Sequence, residues 1–160
     1  MIHRELLLDR LPVTLADLKR HIRLTVGHFD DDLMEKLLAA TFSAEKFIGQ
    51  IIAPSQFTLS VNFVRAIELE TPVLEVREVK VDGVAITNYN VDGSSITIQE
   101  NIEGDTLEVI YLSGMESIDY DMKAAILMHS ASLFNNPLNT VEQLTTAGEK
   151  LLRPFRRWKK

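Results

Sequence analysis

Apolar residues recur along the chain with two different periods, and the switches between them divide it. Leu15, Leu18 and Ile22 fall three and four apart, the spacing that lines one face of a helix. Thr14-Leu-Ala-Asp17 resembles a capping box, with Asp17 in place of the usual Glu or Gln. The pattern predicts a short helix over 14–22, broken by Gly27 and His28. Asp30, Asp31 and Asp32 then open a longer helix over 31–49. Leu33, Leu37, Ala40, Ala44 and Phe47 share one face, Met34, Leu38 and Ile48 widen it, and Glu35, Lys36, Ser43 and Lys46 supply a polar side. Acids in the first turn suit the positive end of the helix dipole, and Gly49 suits the C-cap.

From Ser55 to Leu112 the period falls to two. Gln56–Asn62, Ala66–Leu69 and Val76–Val81 alternate, and Tyr89–Asp92, Ser95–Gln99 and Leu107–Leu112 read as further strands. Asp82-Gly83 is a hairpin signal, Asp92-Gly93 and Glu103-Gly104 mark turns, and Glu70-Thr-Pro72 implies a loop or a sheet edge. After Ser113-Gly114 the helical period returns, with Asp119 as the cap of a helix over 119–135 and Asn136-Pro137 as its stop. Met122, Ile126, His129 and Leu133 form one face of it, and Ala124, Leu127, Ala131 and Phe134 another. A helix apolar on two sides is expected to be buried on two sides. Residues 138–148 read as a loop or a weak helix. The prediction is an α+β fold: N-terminal helices, a central antiparallel β-sheet region over 55–112, and a C-terminal helix with a basic tail. Residues 1–149 form one expected domain and 150–160 the tail.

The 160 residues are 46% hydrophobic and 25% charged, enough for one real core and against wholesale disorder. There is no cysteine, which excludes a disulfide framework, a thiolate zinc site, an iron–sulfur cluster and a cysteine nucleophile, and fits a reducing compartment. His3, Arg4 and Glu5 precede only three consecutive leucines, unlike a signal peptide, and the longest uncharged stretch, 124–141, is too polar to span a membrane. A soluble protein with no membrane partner is expected. Asp30-Asp31-Asp32 lacks EF-hand spacing and fits helix capping better than a metal. His3, His21, His28 and His129 show no metal-binding spacing, and His129, inside an apolar helix, reads as a core or interface residue. No phosphate loop is present, Ser94 and Ser95 sit in no nucleophile elbow, and Asp119 and Asp121 read as a helix start. No catalytic residue, metal ligand or cofactor is predicted, and the chain is not expected to be an enzyme.

Charge changes the picture at one end. The net charge is −6, yet Lys150, Arg153, Arg156, Arg157, Lys159 and Lys160 crowd into the last eleven residues without an acid, leaving −12 on 1–149. An acidic body is a poor general binder of nucleic acid. Leu151, Leu152, Phe155 and Trp158 interleave with the bases, a composition of binding hot spots rather than of a frayed terminus. A docking segment is expected, carried by Arg153, Phe155, Arg156, Arg157 and Trp158, mobile until it meets an acidic surface, with a grip on DNA as the competing reading.

Four stretches carry a family resemblance: Val13–Arg23; Phe29–Ala40 through Ile48-Gly49; Ile67–Val79 with its central Thr71-Pro72; and Leu107–Gly114 leading into Met122–Phe134, with Leu151-Leu-Arg-Pro-Phe-Arg156 as an ending. On these the chain resembles the head–tail connector (adaptor) proteins of long-tailed phages, also labelled DNA-packaging or head-completion proteins. Met115, Tyr120 and Asn135-Asn-Pro137 depart from the usual family residues. The resemblance implies a structural, non-enzymatic protein of virion assembly, of phage or prophage origin. It would act at the head–tail junction and occupy the host cytoplasm during assembly. About a dozen copies would form a head-to-tail ring between the portal and the next connector or tail-completion protein. DNA would slide through an acidic channel without sequence-specific binding. The acidic surface met by the docking segment would belong to a neighbouring ring, the portal. Subunit contact is expected from Leu37 and Phe47 on the long helix and from Leu127 and Phe134 on the last. Two other classes fit the composition: a monomeric or dimeric binding module of a phage tail or cell surface, and, third, a hydrolase, which would need a pocket of converging carboxylates or histidines.

Overall fold

The computed structural model describes residues 1–99, 101–136 and 145–157. The chain forms two compact units, each assembled from separated stretches: Met1–Arg10 with Ala53–Met115, and Leu11–Ile52 with Glu116–Lys160. The first is β and the second helical, so the fold is α+β as expected.

The sheet unit holds β1 (Ile2–Leu6), β2 (Ser55–Asn62), β3 (Ala66–Glu68), β4 (Val73–Val81), β5 (Val84–Ala85), β6 (Tyr89–Asp92), β7 (Ser95–Ile98) and β8 (Thr106–Ser113). They pair antiparallel into a five-stranded sheet, β1-β2-β8-β4-β5, and a three-stranded sheet, β3-β7-β6. β1 has no counterpart in the sequence reading. It is an edge strand with Ile2, His3 and Glu5 all exposed, so no alternation announces it; pairing with β2, from Ile2↔Leu59 to Leu6↔Ser55, defines it. β4 begins three residues before the expected Val76, and register shifts between Val73 and Glu75 and between Val76 and Glu78 break its period.

The Asp82-Gly83 signal is borne out. Both residues have positive φ, 48° and 80°, as a two-residue hairpin with a type I′ turn requires. The Asp82 carboxylate accepts the N–H groups of Asp105 (3.0 Å) and Thr106 (2.8 Å) and the Thr106 hydroxyl (3.0 Å). These bonds, led by that from the Thr106 backbone, hold its carboxyl below the usual range and tie the hairpin to the entry of β8. Phe57, Val79, Val81, Leu107, Val109 and Tyr111 of the large sheet and Ile96 and Ile98 of the small one are buried. Tyr111 stacks on Phe57 at 5.3 Å and accepts the N–H of Glu70 (3.3 Å).

The helical unit holds α1 (Leu15–His21), α2 (Asp30–Ile48), α3 (Tyr120–Asn135) and α4 (Thr146–Leu152), then a 3₁₀ turn, Arg153–Phe155. The capping box is present: Thr14 Oγ1 accepts the Asp17 N–H (3.2 Å) and Asp17 Oδ2 accepts the Thr14 N–H (3.0 Å). Asp17 also pairs with Lys123 at 2.9 Å, joining α1 to α3. α1 ends earlier than Gly27. Arg23 takes the left-handed conformation (φ 58°), and Leu24 and Arg23 donate to the carbonyls of Lys19 and Arg20, the Schellman pattern that glycine usually serves. The acidic triplet does not cap α2: its N-cap is Phe29, with no side-chain bond. Asp30 instead pairs with Lys19 (2.8 Å) and Asp32 with Lys36 (3.2 Å), leaving the triplet its role beside the helix dipole.

α2 buries Leu33, Leu37, Ala40, Ala44 and Ile48, while Phe47 is half-buried. α3 buries Met122, Ala125, Ile126, Leu127, His129 and Ser130; Leu133 and Phe134 are half-buried. The two-sided burial expected of α3 is therefore lopsided. Two expected contact residues are interior: Leu37 is 1% exposed and Leu127 8%, so neither is offered to a second chain. The boundary expected at residue 150 falls inside α4, whose Leu152 is fully buried. Leu37→Ala is expected to cost about 2–5 kcal/mol, as a buried leucine truncation does, read as a lower urea midpoint.

His129 is 1% exposed, and its Nδ1 has no hydrogen-bond partner among the described residues. Burial holds its pKa below the ordinary 6.5, so the unfolded chain takes up this proton more readily than the folded one. Its contribution is complete above the unfolded value and is lost as pH falls below it. Urea midpoints at about pH 7.5 and about pH 5.5 should show a drop that is smaller in His129→Leu.

Candidate functional site

The C-terminal segment returns to the end of α2, where Arg156 lies over Phe47. That end is prepared locally. Gly49 is the αL C-cap of α2 (φ 72°), and its N–H returns to the Glu45 carbonyl (2.8 Å). Glu45, itself buried, accepts the Ile52 N–H at 2.9 Å, which turns the chain sharply away. The carbonyl of Ile48 is satisfied from the other end of the sequence: the N–H of Arg157 donates to it at 2.7 Å. A Cβ on Gly49 would lie 3.5 Å from the Arg157 carbonyl oxygen.

The approach of that segment is built by α4 and the 3₁₀ turn. Thr145 Oγ1 accepts the Gly148 N–H (3.1 Å) and starts α4; Leu152 anchors it in the interior. Pro154 stands in the 3₁₀ turn, and the Phe155 carbonyl lies 3.5 Å from Gln50 Nε2. The Arg156 guanidinium lies 5.4 Å from the centre of the Phe47 ring, a cation–π arrangement. Lys46, Arg153, Arg156 and Arg157 are exposed, and Phe47 and Phe155 are half-buried. Positive charge at a helix C-terminus is favourable in its own right.

Of the expected docking residues, Arg156 lies over Phe47, the Arg157 N–H and the Phe155 carbonyl meet the chain at the end of α2, Arg153 is exposed in the 3₁₀ turn, and Trp158 lies outside the described residues. They sit on packed chain, not on a separate appendage. Of the expected contact residues, Phe47 lies beneath Arg156 and Phe134 meets Phe29 edge-on at 5.7 Å. Lys46, Gln50 and Phe29 were missed. Gln50 stands about a hundred positions from the segment it joins, and no local signal reports that meeting; Phe29, between the break at Gly27-His28 and the acidic triplet, carries no signal of its own. Among the described residues no group of three or more His, Asp or Glu is placed to hold a metal ion, and no helix is long and apolar enough to cross a membrane.

No family model and no curated protein matches the chain. Solved structures do. A chain from the neck of an empty GTA particle computed with C6 symmetry superposes with a TM-score of 0.80 at 16% identity, covering 100% of this chain and 97% of that one. A chain from the virion of a native gene transfer agent (GTA) particle gives 0.79 at 17%, with the same coverage. One from the neck of a native GTA particle computed with C12 symmetry gives 0.77 at 15%, again with 100% and 97% covered. At these identities the likeness is one of fold, and it runs the whole length of the chain.

Gly49→Ala places a Cβ at a left-handed position and against the Arg157 carbonyl. It should cost about 1 kcal/mol and raise the exchange rate of the Arg157 amide, read by hydrogen exchange.

Proposed function

We propose that this chain is a structural subunit of the neck between the head and tail of a phage-like particle. The observation that carries the reading is the full-length fold likeness to chains of GTA particle necks. The phage-connector resemblance of the sequence points the same way. In this reading about a dozen copies close head to tail into a ring, seated between the portal and the next connector, and DNA passes through. The role is architectural and needs no catalysis or cofactor. An acidic chain lets DNA slide, because like charge suppresses phosphate contacts. The basic end of α2 and the C-terminal segment form an assembly contact with an acidic protein surface; its arginines steer and set register while Phe155, and Trp158 beyond it, supply apolar anchorage.

The test of the ring is mass measurement in solution with negative-stain images, on the chain alone and mixed with portal-bearing heads. Rings, alone or on the heads, are expected. A chain that stays monomeric in both settings would overturn the reading. Because Leu152 is interior, deleting everything after Gly148 would damage the helical unit; the docking contact is better probed by point changes at Arg153 and Phe155, which should weaken attachment to heads while leaving the circular dichroism spectrum unchanged.

A further inference from the structure

The charges of this protein are divided between its two units. The sheet unit carries twelve Asp and Glu against five Lys and Arg, whereas the helical unit carries eleven acids against twelve bases. The bases of the helical unit concentrate where α2 and the C-terminal segment meet. Lys46, Arg153, Arg156 and Arg157 are exposed along these two segments, Arg156 lies over the Phe47 ring, and Phe155 is half-buried. The sheet unit carries acidic residues at the tip of its β4–β5 hairpin. Val84 is 65% exposed there, beside Asp82, and the loop that Asp82 fastens brings exposed Glu103 and Asp105 to the same end of the hairpin. Gly104, between those two acids, leaves no room for a side chain beside Val81 and Asp82. Asp82 ties the acidic loop to the hairpin, and an exposed valine stands beside the charges.

We propose that the basic-aromatic end of α2 in one copy receives the acidic β4–β5 hairpin tip of the next copy. This contact rests on the ring reading and specifies it. A ring needs two different surfaces per copy that fit each other, and these two are complementary in charge and each has an apolar centre. Because the arginines are carried on packed chain, they suit a neighbour held side by side. Individual exposed ion pairs contribute little; the contact draws on several charges at once and on Val84 entering between Phe47 and Phe155.

The experiment is a charge exchange in the full chain. One variant carries Lys46→Glu and Arg153→Glu, another Glu103→Lys and Asp105→Lys, and a third all four changes. Asp82, which fastens the loop, and Arg156, which covers Phe47, are left in place, and circular dichroism checks each fold. Ring population is read by analytical ultracentrifugation at low salt. Each pair alone should lower it at least tenfold, and the fourfold variant should recover most of it. Rings that form in the wild type and ignore both reversals overturn this contact while leaving the ring reading intact. So does a fourfold variant that folds but stays dissociated. Rings unchanged by the first variant, with loss of its binding to duplex DNA, assign the basic end to DNA instead. A wild-type chain monomeric both alone and on heads removes the ring and this contact together.

Discussion

The sheet unit depends on β8. It is paired along its length on both sides, with β2 from Ser55↔Ser113 to Asn62↔Thr106 and with β4 from Val73↔Ser113 to Val81↔Leu107. Its last residues collect three separate segments. Tyr111 takes the Glu70 N–H and the face of Phe57; Ser113 Oγ shares its proton between the carbonyls of Glu70 and Pro72, at 2.9 and 2.8 Å. Gly114 follows at φ 136°, where a Cβ would stand 2.5 Å from Pro54 Cα. Backbone is packed against backbone at that point, so no other residue fits without moving a strand. Arg4 closes the same corner from β1, donating to Ser55 Oγ and the Ala53 carbonyl beside Phe57.

A comparable closure finishes the helical unit. α2 ends on a left-handed glycine and leaves a carbonyl that only a distant N–H can satisfy. Arg157 satisfies it, next to the Arg156 that lies over Phe47. A charged segment free in water would lose conformational entropy on being ordered; one already laid on a helix end loses little. The same chain order that leads a strand, two helices, a sheet and two further helices through two units leaves the sheet unit strongly acidic and the helical unit close to neutral.

Much was legible in advance because it is local. The capping box at Thr14 and Asp17 acts within one turn, the Asp82-Gly83 hairpin needs only positive φ at two adjacent residues, and the span of α2 to Gly49 follows from spacing and a C-cap. The composition of Arg153, Phe155, Arg156 and Arg157 marked them as a group for the same reason. Other features depend on partners far along the chain. β1 is a strand only because β2 lies beside it. Leu37 and Leu127 look like any apolar helix position until packing turns them inward, while Phe47 and Phe134 are left half-open. Local sequence determined where this chain turns helical, extended or reversed, because those choices rest on torsion angles and bonds within a few residues. The tertiary structure alone decided which apolar faces were consumed by the interior and which basic residues met Phe47, because burial and charge clustering are set by contacts between segments that the sequence keeps apart.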